Sequence, residues 1–275
     1  MHTPTKYIGM AKYITGAAFA LILSSCATTT QMTSGSDYLA RYQKTTATNT
    51  VGDLNNNLNT DLANNLNTQI RDIATIEPDL RFPARIGLAR IERGQLTSGP
   101  IDEMQAWGDL AEKLGAPYGE FVPVSPFIAA MVRPQPNTKQ AMFNAGNVTS
   151  VIADIRRASA RQHLDYVLAY EVTQNTSDES NGLSLANLTV LGMYIIPSRN
   201  VKIKSTASAI LIDVRNGYPY GTASAIATDK QMRTFIGSGN ARRKAKNKNY
   251  LLAVENLTGE VETMMKDLWV LQSKQ

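Results

Sequence analysis

Asn216-Gly217 falls between two long strand-like runs, Val201 to Val214 and Tyr218 to Thr228. An Asn-Gly pair readily takes the backbone conformations of a tight hairpin turn, so the spacing predicts an antiparallel hairpin near 201–228. Strands and helices alternate before it. Arg81 to Ile91 reads as a strand followed by a turn at Arg93-Gly94. A helix follows Ser98-Gly99-Pro100. Pro100 suits a first helical position, Asp102 and Glu103 suit the positive helix end, and Gly115 suits the stop. Its apolar stripe is Ile101, Met104, Trp107, Leu110, Ala111 and Leu114. Phe121 to Val124 reads as a short strand, with Pro123 suggesting an edge or irregular position. A helix from Val148 to Leu164, with Val151, Ile152, Ile155, Ala158 and Ser159 inward, leads to a strand from Asp165 to Val172. Tyr250 to Leu271 closes the chain as a helix, with Leu252, Val254, Leu257, Val261, Met264, Met265, Leu268 and Leu271 on its apolar side. This order predicts an α/β fold: a mixed sheet of about five strands packed with helices, a late antiparallel hairpin and a C-terminal helix.

The first 25 residues have a different character. Lys6 and Lys12 precede an apolar run from Tyr13 to Leu23. That run is about half of the roughly 20 residues needed to span a bilayer. It ends in Leu23-Ser24-Ser25-Cys26, an aliphatic residue and two small residues before the chain's single cysteine. The arrangement reads as a secretory signal with a bacterial lipobox. It predicts cleavage before Cys26 and lipidation of its thiol, a nucleophile soft enough to take a diacylglycerol as a thioether. Ala27 follows, where an aspartate would signal inner-membrane retention, so the expected address is the outer membrane, with the domain facing the periplasm. Acyl chains then hold the protein, at about 0.8 kcal/mol per buried methylene.

The chain of 275 residues is long enough for a substantial core. One cysteine excludes an internal disulfide and Cys-based zinc or iron–sulfur sites. Two histidines leave little for metal or triad chemistry. The net charge of +5 is too mild to indicate nucleic-acid binding. Residues 27–50 are polar and read as a flexible tether. In residues 51–73, Val51, Leu54, Leu58, Leu62, Leu66, Ile70 and Ile73 recur at helical spacing between Asn, Thr and Asp. The expected organisation is a targeting segment (1–25), a lipidated tether with a candidate amphipathic helix (26–75) and an α/β domain (76–275).

Three local patterns carry a resemblance. They are Arg85-Ile86-Gly87-Leu88-Ala89 in the first strand, Asp165-Tyr166-Val167-Leu168 after a helix ending Arg161-Gln162-His163-Leu164, and Leu211-Ile212-Asp213-Val214-Arg215-Asn216-Gly217 at the hairpin. Together with the element order they resemble the periplasmic domain shared by the curli-secretion lipoprotein CsgG and the N-terminal domain of TolB. The resemblance spans roughly residues 82–271. It implies a binding or assembly module of the cell envelope and brings no catalytic residues with it. The pore-forming relative has two membrane-spanning hairpins per subunit; here one segment, Leu183–Pro197, is a candidate.

Two stretches stand out as candidate interaction surfaces. One is nearly all apolar and includes Leu185, Leu188, Leu191, Tyr194 and Ile195. It reads as core or as a patch for a partner or membrane surface. The other, read as a glycine-containing loop over 237–249, carries Arg242, Arg243, Lys244, Lys246 and Lys248. Five positive charges in seven residues suit a solvated loop or attraction to anionic headgroups, peptidoglycan or an acidic partner. His163 with Asp165 is a weak base candidate, because a strand start need not aim both side chains alike. Gly237-Ser238-Gly239-Asn240 lacks the lysine-threonine pair of a phosphate loop. No cofactor or metal is expected. The sequence points to a non-enzymatic, outer-membrane-anchored binding or assembly module, with envelope proteins or peptidoglycan as partners. The alternatives are a self-assembling, homo-oligomeric ring related to CsgG and an envelope hydrolase.

Overall fold

The computed structural model describes residues 27–46, 66, 68–134, 148–180, 199–233 and 238–274. The elements are β1 (Ala27–Thr30), α1 (Gly35–Thr46), β2 (Ala84–Glu92), β3 (Gln95–Thr97), α2 (Ile101–Leu114), β4 (Gly119–Pro123), α3 (Pro126–Val132), α4 (Val148–Arg161), β5 (Tyr166–Ser180), β6 (Arg199–Asp213), β7 (Pro219–Arg233) and α5 (Ser238–Gln272). Residues 68–74 are also helical. The strands form one seven-stranded mixed sheet in the order β1-β7-β6-β5-β2-β3, with β4 also paired to β2. β2 runs parallel to β4 and β5, and the other pairs are antiparallel.

The alternation of strand residues sorts the sheet into two buried faces. On one face, Ile86 and Leu88 of β2, Tyr166, Leu168 and Tyr170 of β5, and Leu211 and Tyr220 meet α2 and α5. From α5, Val254, Leu257, Val261, Met264, Met265 and Leu268 are wholly buried there. Ala207, Ala209, Ala223, Ala225 and Ala227 face the same helix. Small side chains on β6 and β7 let α5 lie close to the sheet. On the other face, Ala89, Val167, Ala169 and Ile212 meet Val151, Ile155 and Ala158 of α4, and Ala129 of α3. Burying one Leu or Ile side chain contributes roughly 1.5–3 kcal/mol, so these two seams dominate the fold's stability.

The predicted hairpin is present as β6 and β7, with a loop longer than two residues. Asp213 N–H donates to Tyr218 O at 2.9 Å, and Gly217 N–H to Asp213 O at 3.0 Å. Gly217 alone in this turn has a positive φ, 81°. Asn216 Oδ1 accepts the Tyr218 N–H at 2.8 Å. α2 stops at Gly115 as expected, and it begins at Ile101, with Pro100 as its N-cap rather than its first residue. β4 pairs with β2 on one side only, which accommodates Pro123 at its end.

Several expectations need correction. Residues 27–30, read as part of a flexible tether, are an edge strand paired with Gly221–Ser224 of β7. α1 follows, and the Glu77 carboxylate accepts the Gly35 and Ser36 N–H groups at its start. These hydrogen bonds, Ser36 foremost, hold the Glu77 pKa below its ordinary value. The stretch read as a basic loop is helical from Ser238 onward and continues into the predicted closing helix. Lys, Arg and Ala are good helix formers, and they outweigh Gly239 and the asparagines. The polar stretch after Val172 extends β5 to Ser180. Ile101, assigned to the buried stripe of α2, is 85% exposed. Of the stretch 51–73, residues 51–65 and 67 lie outside the described residues, and Leu66, Ile70 and Ile73 are exposed.

Candidate functional site

The basic residues of α5 are carried on the half of the helix that has little apolar seam. Ile203 and Ala245 make a small cluster of their own there. Polar contacts do the seating. Ser205 Oγ donates to Asn249 Oδ1 at 2.6 Å. Gln174 Nε2 donates to Ser205 Oγ and to the Lys246 carbonyl, both at 2.9 Å. Gln174 and Ser205 are register partners on β5 and β6. This arrangement leaves Arg243, Lys244 and Lys248 exposed and Lys246 half-buried. Arg243 also donates to Asn240 Oδ1 at 3.3 Å. Arg242 lies on the same helix by its backbone. Lys202 and Lys204 are exposed on the face of β6 that points away from α5. They extend the basic surface beyond the five residues visible in the sequence. They were missed because nothing local links positions 202–204 to 243–248; only the strand pairing does.

Two buried polar networks hold the body, one reaching Tyr250 beside the seat of α5 and one at the β6–β7 turn, the opposite end of the hairpin from the basic residues. Arg90, 8% exposed, donates from Nε to Glu103 Oε2 at 3.0 Å, from Nη1 to Glu92 Oε2 at 2.6 Å and Thr97 Oγ1 at 2.9 Å, and from Nη2 to Tyr250 Oη at 2.8 Å. Tyr170 Oη donates to Glu103 Oε2 at 2.9 Å. Burial pushes the Tyr170 hydroxyl well above the ordinary tyrosine range, and the neighbouring Glu103 adds to it. Burial opposes the Arg90 charge, but the Glu92 hydrogen bond and the Glu103 charge outweigh it, so its pKa rises. A cavity of about 280 Å³ adjoins this cluster, lined by Thr97, Met104, Val124, Phe127 and Tyr170. The second network centres on Asp213, which is fully buried. Its carboxylate accepts from the Arg215 N–H at 2.8 Å, from Arg215 Nη2 at 3.0 Å and from Tyr220 Oη at 3.2 Å. Arg215 also reaches Asp79. Every charge in the two networks has a partner of opposite sign, which accounts for them as architecture.

His163 does not meet Asp165 in a catalytic geometry. It sits just past α4 with φ 56°. Leu164 N–H donates to Ser159 O at 3.0 Å and His163 N–H to Ala160 O at 3.1 Å. That pattern is a Schellman helix stop, in which the left-handed residue is usually glycine. Asp165 Oδ2 accepts the Arg85 N–H at 2.8 Å. Gly239 and Asn240 belong to the first turn of α5, and Gly237 lies outside the described residues. Among the described residues, no group of three or more His, Cys, Asp or Glu could hold a metal ion. No described helix is long and apolar enough to cross a membrane. Cys26 and the apolar residues Leu185, Leu188, Leu191, Tyr194 and Ile195 lie outside the described residues. Exposed apolar side chains occur elsewhere, at Phe127 and Met131, one turn apart on α3.

No protein-family model matches the chain, and no curated protein matches it. Among solved structures, it is similar to a minor lipoprotein from Acinetobacter baumannii, with 9% identity over 66% of this chain and 90% of that one, at a TM-score of 0.34. It is similar to lipoprotein GNA1162 from Neisseria meningitidis, with 19% identity over 60% of this chain and 97% of that one, at a TM-score of 0.28. It is also similar to a PelC dodecamer from Paraburkholderia phytofirmans, with 13% identity over 68% of this chain and 91% of that one, at a TM-score of 0.28. Similarities of this size assign the chain to no family.

Proposed function

We propose that the chain is a lipid-anchored bacterial envelope protein, with Cys26 as the acylated residue after removal of residues 1–25. The α/β domain serves as a non-enzymatic binding or assembly module on the outer membrane, facing the periplasm. The CsgG and TolB-type resemblance belongs to the same proposal. The observation that carries it is the single cysteine placed after Leu23-Ser24-Ser25, at the end of a short apolar run. The basic start of α5 is the contact surface within this reading. Intact mass of the membrane-extracted protein tests the anchor: the expected mass is that of residues 26–275 plus acyl chains, and Cys26→Ser should abolish the addition. A crosslinking pull-down from intact cells, with the same variant as control, tests the module: a discrete set of envelope proteins should be enriched only with the anchored form.

A second reading, self-association of copies into a ring, is favoured by Phe127 and Met131, which are 82% and 79% exposed on one face of α3. Native mass spectrometry of detergent-extracted protein separates the two. One large discrete oligomer supports the ring, and a monomer excludes it.

A further inference from the structure

Much of the positive charge of the chain is concentrated at one place. Residues 175–180, 199–204, 228–233 and 238–248 form the end of β5, the start of β6, the end of β7 and the start of α5. They contain ten basic and three acidic residues, a net +7, whereas the whole chain carries +5. The remainder is therefore slightly acidic on balance, with its own acidic face where Asp102 and Asp109 of α2 meet Glu255 and Glu262 of α5.

Strand register sharpens the point. Lys202 stands opposite Lys230, and Arg199 opposite Arg233, across β6 and β7. Like charges directly opposite each other destabilise an antiparallel pair. Of the acidic residues at this end, Asp178 pairs with Val201, Glu179 with Asn200 and Asp229 with Ile203. Lys202 and Lys204 are exposed on one side of the sheet, and Arg243, Lys244 and Lys248 on the helix at the other. The positive charge thus surrounds the sheet end, where an external anionic surface reaches it. β1 adds direction. It enters at Ala27, opposite Ser224, and runs from there to Thr30 opposite Gly221. The chain therefore joins the sheet at the β7 edge, from the side of Arg233.

We infer that this basic end binds anionic phospholipid headgroups and holds the β7 edge against a membrane surface. The choice of lipid over an acidic polypeptide rests on the anchored-protein reading, since the N-terminal attachment enters on the same edge. Near an anionic surface each Lys or Arg contributes roughly a five-fold factor in affinity. The factor falls with salt as the screening length shrinks to about 3 Å at about 1 M.

Hydrogen exchange of the full membrane-extracted protein, mixed with lipid nanodiscs, tests the inference. Discs of phosphatidylcholine alone are compared with discs of phosphatidylcholine and phosphatidylglycerol mixed three to one. The expected result is slower exchange in residues 199–204, 228–233 and 240–248 on the phosphatidylglycerol discs only, reversed by about 1 M salt. The variant K202Q/K204Q/K244Q/K248Q changes exposed side chains only, and should lose the protection while keeping the wild-type exchange of β2 and the second half of α5. Equal protection on both discs, or none on either, overturns the inference. So does protection by soluble polyglutamate that exceeds that of the anionic discs. Flotation with neutral phosphatidylcholine vesicles reads the anchor separately. Protein that fails to float yet shows phosphatidylglycerol-dependent protection refutes the anchor and leaves the headgroup contact standing.

Discussion

The Ser205 hydroxyl donates to Asn249 Oδ1 at 2.6 Å in a site where Ser205 is fully buried and Asn249 is 2% exposed. This hydrogen bond joins the middle of β6 to the basic half of α5. Ser205→Ala leaves the Asn249 oxygen without this donor, a change that costs about 1–3 kcal/mol for a buried group. The loss should be local. Exchange of residues 240–250 should accelerate more than exchange of residues 254–268, and equal acceleration in both would show that the contact is not what seats this half.

Leu257 lies at the centre of the α5 seam and is wholly buried. Leu257→Ala should lower stability by about 2–5 kcal/mol, the range for a cavity in a packed core. The urea midpoint measures it directly. A loss below about 1 kcal/mol would mean that α5 is not held by this seam.

The Schellman stop predicts a gain rather than a loss. His163 occupies a left-handed conformation with φ 56°. Glycine takes that conformation without a Cβ penalty. His163→Gly should therefore raise stability by about 0.5–1 kcal/mol. A clear loss of stability would show instead that the exposed imidazole makes a contact of its own.

Glu262 links pH to stability. Its carboxylate accepts hydrogen bonds from Lys113 at 2.6 Å and from Lys266 at 2.5 Å, and those bonds, Lys113 first, depress its pKa. A folded-state pKa below the unfolded one favours the folded chain at neutral pH. The contribution is complete above the ordinary glutamate value of 4.5 and is lost as pH falls through the depressed folded value. Glu262→Gln should accordingly be less stable than wild type at pH 7. The gap should narrow below pH 4.5. A gap that stays constant with pH in chemical denaturation would rule out this linkage.

Local signals in the sequence account for much of the fold. Pro100 and Gly115 bracket α2 because capping is decided within a turn. The Asp213-to-Gly217 turn forms a hairpin because its side-chain caps are sequence neighbours. β1 was hidden for the opposite reason: four Thr-rich residues have little hydrophobic pattern, and their pairing partner lies almost two hundred positions away. The start of α5 was read as a loop because its seat is polar and non-local, made by Gln174, Ser205 and Asn249. The same distance hid Lys202 and Lys204 as partners of the basic helix, although the Arg242–Lys248 run itself was plain. The helix expected to run to Leu164 ends at Arg161, so the sequence did not show that His163 forms the stop.

α5 is one unbroken helix of 35 residues, roughly 50 Å of rod at 1.5 Å per residue. Its second half is clamped by wholly buried side chains from Ala253 to Leu268, while its first half rests on a few polar contacts. Mechanically it is a cantilever. A push on the charged tip cannot be absorbed by a flexible joint in mid-span, so it arrives as torque at the clamp. There Trp269 stacks on Phe82, and the Phe82 N–H is held by Gln272 Oε1. A load applied at the far surface would be felt first at Ala253 and Val254, where the clamp begins, and last at those aromatic contacts.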